Sequence, residues 1–140
     1  MTGKRLVSFA GLLATFAVAY GFERLVAHMR AELEVTLSGT LAKSIPWVQS
    51  LAIVVLAAML LLLAWYVVFR ANRDMWVGAV FIVVGLVLTF NVAMATSLGS
   101  FWLFDRLPRF AAYNSYGHYV AAFAAVIGIA CLVAPKRRRR

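Results

Sequence analysis

Hydrophobic positions are not scattered along this chain; they gather in four runs with no Asp, Glu, Lys or Arg, at residues 6–22, 47–69, 75–97 and 118–134. Neither the two-residue alternation of a half-buried strand nor a narrow amphipathic stripe shows in them, because they are apolar nearly all round. A helix that is apolar on every face and about 20 residues long spans a hydrocarbon core of about 30 Å. The pattern therefore predicts an all-α integral membrane protein with four antiparallel transmembrane helices, at about residues 6–24, 47–69, 75–97 and 115–134, in one domain covering 1–140. The first run also has features of a secretory signal, with Lys4 and Arg5 before an apolar core and Ala17-Val18-Ala19 before Tyr20. We read it as a retained first span.

The connections differ. Only Arg70, Ala71, Asn72, Arg73 and Asp74 separate the second and third runs, so these spans form a tight hairpin. After the first run, Leu25, Met29, Leu33, Leu37 and Leu41 recur every four residues. That spacing predicts a helix continuing out of the membrane and ending near Gly39. Ser44-Ile45-Pro46 then reads as an N-cap with proline in the first turn of span two. Between spans three and four lie Phe101, Trp102, Phe104, Phe110 and Tyr113, interleaved with Asp105, Arg106 and Arg109. This composition predicts an aromatic segment lying in the membrane interface. Phe22-Glu23-Arg24-Leu25 and Phe104-Asp105-Arg106-Leu107 echo one another after the odd-numbered spans, at the level expected by chance.

Composition sharpens the class. Of 140 residues, 64% are hydrophobic and 14% charged, with a mean hydropathy of +0.89. Disorder is excluded, and so is an ordinary soluble domain. The net charge of +9 comes from 14 cations against five acids. With the N-terminus inside, Lys4, Arg5, Arg70, Arg73, Lys136, Arg137, Arg138, Arg139 and Arg140 fall on the inner side. Arg24, Arg30, Lys43, Arg106 and Arg109 fall outside, together with Glu23, Glu32, Glu34 and Asp105. The positive-inside rule then places both termini in the cytoplasm of a bacterial plasma (inner) membrane protein. The basic tail is a flank that fixes orientation, and a candidate for binding anionic lipid or a partner. Nucleic acid is not expected, since the cations border apolar runs.

Candidate chemistry is sparse. Proton- and ion-coupled carriers keep charge at membrane depth, and these runs have none. Tyr20, Gln49 and Asn91 are the polar residues singled out within the spans, and interhelical hydrogen bonding accounts for such residues as readily as a ligand site does. His28 and His118 both fall at the outer boundary, on helices of opposite sense, where facing imidazoles ligate haem iron or a single one chlorophyll magnesium. These cofactors are an alternative, and the primary expectation is none. Cys131, the one cysteine, excludes an intramolecular disulfide and is expected to pack as a small hydrophobe. Small residues four apart mark two helices: Ala10 with Ala14 and Ala17 with Gly21 in the first span, Ala121 with Ala125 and Ala124 with Gly128 in the fourth. Such pairs let backbones approach, either within the bundle or against another subunit. No phosphate loop, dinucleotide turn or metal-hydrolase motif is present, so no enzyme is expected. The sequence thus points to a non-catalytic accessory or structural subunit of a larger membrane complex, with a small homo-oligomeric transporter or channel, or a haem- or chlorophyll-binding electron-transfer subunit, as alternatives.

Overall fold

The computed structural model describes residues 3–70, 74–90 and 115–133. They form four helices: α1 Gly3–Thr36, α2 Gly39–Trp65, α3 Met75–Thr89 and α4 Tyr116–Val133. A π-helical turn, Tyr66–Arg70, extends α2. No strand occurs among the described residues. α1, α4 and the continuous helix Gly39–Arg70 are long and apolar enough to cross a membrane, whereas α3 is shorter over its described 15 residues. Asn91, the aromatic stretch between spans three and four, and the tail of Lys136, Arg137, Arg138, Arg139 and Arg140 lie outside the described residues.

The core follows the helical repeat. Leu12, Phe16 and Ala19 of α1 face Leu56, Leu60 and Leu63 of α2, with Val77 and Phe81 of α3 and a small-residue face of α4. Residues three and four apart share one side of a helix, so this spacing places each set on one side. Phe81 is fully buried and its ring lies 6.4 Å from that of Phe9. Two hydroxyls enter this apolar interior, Ser8 and Thr15. Each donates back to a carbonyl of its own helix, that of Lys4 at 3.0 Å and of Gly11 at 2.8 Å, so neither is left without a partner.

α3 and α4 approach most closely. A methyl group at Gly85 would stand 2.5 Å from the Ala125 nitrogen and 2.6 Å from the Ala121 carbonyl oxygen. One at Gly128 would stand 2.6 Å from the Gly78 carbonyl oxygen. Only a residue without Cβ allows these backbones to touch. The small residues Ala121, Ala125 and Gly128 of α4 are therefore used inside the bundle. Those of α1 are not: Ala10, Ala14, Ala17 and Gly21 are all exposed among the described residues.

Two helix boundaries differ from the sequence expectation. α1 stops at Thr36 because Leu37 turns to a positive φ of 50°, a conformation that costs a residue bearing Cβ. The leucine repeat thus runs across a break. α2 begins at Gly39, not at Ser44, so Pro46 lies inside the helix. Proline removes one backbone donor there. The Ser44 hydroxyl donates to the Leu41 carbonyl at 3.0 Å and adds a bond in the same turn.

Candidate functional site

Polar chemistry collects at the two ends of the bundle, and α1 contributes to both. At one end Arg5 donates from Nε to the Asp74 carboxylate. Asp74 also caps α3: its other oxygen accepts the Trp76 N–H at 3.0 Å. Its backbone carbonyl receives the Cys131 thiol at 3.8 Å, from the last turns of α4. One residue thereby joins three helices. The Arg5 guanidinium beside Asp74 holds its carboxyl below the ordinary value of 3.8, with the Trp76 N–H contributing and partial burial opposing. Cys131 is buried, as a small hydrophobe would be.

The opposite end is organised by Glu23. Its Oε2 accepts the Tyr116 N–H at 3.1 Å, the first backbone donor of α4. A carboxylate is favoured there by the unpaired N–H groups and positive dipole end of the helix. Ser115 completes the cap, accepting the His118 N–H on its hydroxyl at 3.1 Å. Phe22 packs edge-on to Tyr116 with ring centres 6.5 Å apart. Glu23 thus reaches across to α4 from just beyond the end of the first uncharged run.

The residues singled out by sequence are dispersed. His28 is exposed, and its Nε2 lies 3.2 Å from Glu32 one turn along the same helix. His118 is half-buried, with its ring 6.0 Å from that of Tyr119. Glu23 and Tyr116 are level, so His28 stands five residues beyond that level on α1, and His118 two residues inside it on α4. At 1.5 Å per residue the offset along the bundle is about 10 Å. No described contact joins the two imidazoles. Tyr20 is exposed; its hydroxyl accepts from Arg24 Nε at 2.8 Å, and that guanidinium lies over the Tyr20 ring at 5.3 Å. Gln49 is half-buried in the first half of α2. Among the described residues no group of three His, Cys, Asp or Glu side chains is placed to hold a metal ion.

Sequence reasoning missed both clasps. Arg5 and Asp74 are 69 residues apart, and Glu23 and Tyr116 are 93 apart. Only the N-cap of Asp74 is locally readable, as an acid just ahead of an apolar run. Compared with known proteins, the chain matches no family model, no curated protein and no solved structure.

Proposed function

We propose that this chain is a multi-pass protein of the bacterial inner membrane, with four antiparallel spans and both termini cytoplasmic, serving as a non-catalytic accessory subunit of a larger membrane complex. The observation that carries the reading is the outward face of α1. Ala10, Ala14, Ala17 and Gly21 line it at intervals of four, three and four residues, and it is open along its length among the described residues. Ala121, Ala125 and Gly128 of α4 are already engaged by α3. An unused face of the same kind fits a transmembrane helix of another subunit.

Membrane placement is supported by tryptophan positions. Trp47 and Trp65 are both exposed on α2 and 18 residues apart. That is about 27 Å of helix, close to the thickness of a hydrocarbon core, and tryptophan concentrates at both boundaries of that core. Between them Leu51, Ile53, Val54, Leu61 and Leu62 are exposed, a surface suited to lipid chains.

Native mass spectrometry of the protein, extracted from its own membrane in mild detergent, tests the reading. Co-purifying polypeptides in fixed ratio are expected. A mass at a whole multiple of 15.4 kDa with nothing else bound overturns it in favour of a homo-oligomer. A residual mass matching haem or chlorophyll overturns it in favour of a cofactor carrier.

A further inference from the structure

The π-helical turn at the end of α2 has a chemical consequence. In an α-helix, residues five apart point about 140° away from each other. The wider π turn brings Arg70 round toward the side chain five residues earlier, and its guanidinium lies over the Trp65 ring at 5.8 Å. The turn holds an exposed cation on an exposed aromatic face. Lys4 is exposed on the neighbouring helix. Gly11 of α1 meets Leu63 of α2. Lys4 lies seven residues before the one and Arg70 seven after the other, so they stand at one level at the same end of the bundle.

Charge at this end is not neutralised. Its described acid, Asp74, is taken by Arg5, which leaves Lys4 and Arg70 without an acidic partner in the ion pairs of the described residues. In the sequence, five more cations begin three residues after Val133, where α4 ends alongside Asp74. Trp76, like Trp65, is exposed here and marks a water–hydrocarbon boundary. A fixed guanidinium presents a planar fork that matches phosphate oxygens, and a lysine ammonium supplies a second, mobile donor.

We propose that Lys4 and Arg70 form a headgroup site for an anionic phospholipid, with Trp65 holding the guanidinium in place and the lipid chains lying along the apolar faces of α1 and α2. The inference rests on the membrane reading above. The full chain is reconstituted into vesicles of phosphatidylcholine alone, and into an equimolar mixture with phosphatidylglycerol. Lipids retained on the protein are then counted by native mass spectrometry. Phosphatidylglycerol is expected to be retained preferentially, with Arg70→Gln and Lys4→Gln each lowering the preference about fivefold. Trp65→Leu keeps both charges and is expected to lower it about twofold. Unchanged helicity by circular dichroism separates these losses from unfolding. Equal retention of both lipids, or an undiminished preference in the Lys4→Gln/Arg70→Gln double variant, overturns the site. Displacement of the lipid by millimolar inorganic phosphate overturns the lipid as its occupant. Failure to enter phosphatidylcholine vesicles at all overturns the membrane reading instead.

Discussion

The α3–α4 seam and the α1–α2 pair are built from similarly apolar sequence but solve packing differently. In α3 and α4 glycine brings backbone against backbone, and 44% of the apolar stretch of α4 is buried. In α1 and in α2 the figure is 28% for each, and large side chains rather than backbones make the contact. The seam is closed and intolerant of added volume. The long pair is open, and polar clasps at its ends tie α1 to the rest. Hydrophobicity alone does not distinguish the two regions. The placement of residues lacking a side chain does, because dispersion contacts between helices fall steeply with separation.

The comparison breaks first at Gly85. Gly85→Ala forces a methyl group onto the backbone of α4 and is expected to destabilise by about 2–3 kcal/mol, read as an earlier unfolding midpoint in mixed micelles. Asp74→Ala removes both the Arg5 pairing and the α3 cap, for about 2 kcal/mol in the same assay. Asp74→Asn keeps a capping oxygen and loses about half of that. The pairing lowers the folded-state pKa of Asp74, so its stabilisation is present above the ordinary value of 3.8 and is lost as pH falls through the lowered one. An acid-unfolding titration is expected to show this limb in the native protein and lose it in Asp74→Asn. Glu23→Gln weakens the bond to the start of α4 by about 1 kcal/mol, with faster amide exchange at Tyr116 as the local readout. The smallest effect has the opposite sign. Nothing stands within 4 Å of a methyl group at Gly21, so Gly21→Ala is expected to stabilise by about 0.5–1 kcal/mol in the isolated chain. In the complex proposed above the same change is expected to weaken subunit association, which a pull-down of the tagged variant measures.

Much of the helical architecture is legible in the sequence because helix and apolar run coincide. α1 contains the first run, α2 with its π turn contains the second, and α4 covers the fourth as far as Val133. The extension of α1 past Arg24 was readable from Leu25, Met29 and Leu33, whose spacing is that of a helix. Its end was not, since Leu37 continues the same spacing while occupying a left-handed turn. Pro46 misled in the other direction: proline marks a helix start more often than an interior, but α2 had already begun seven residues earlier. The site was less legible still. Small-residue spacing identified two packing faces without saying that one looks inward and the other out. The clasps of Arg5 and Glu23 depend on partners distant in sequence, which no local pattern encodes.

The bond between Glu23 and Tyr116 orders events in time. Chains emerge from the ribosome N-terminus first, at about 5–20 residues per second. Glu23 is therefore made several seconds before its partner, 93 residues downstream. Throughout that interval the carboxylate has no α4 to cap, and α1 is held only by what has already been synthesised. Asp74, the partner of Arg5, is made earlier, 69 residues after it, so that clasp has both its members first. Synthesis thus supplies the partner at one end of α1 before the partner at the other, and α4, made later, completes the cap.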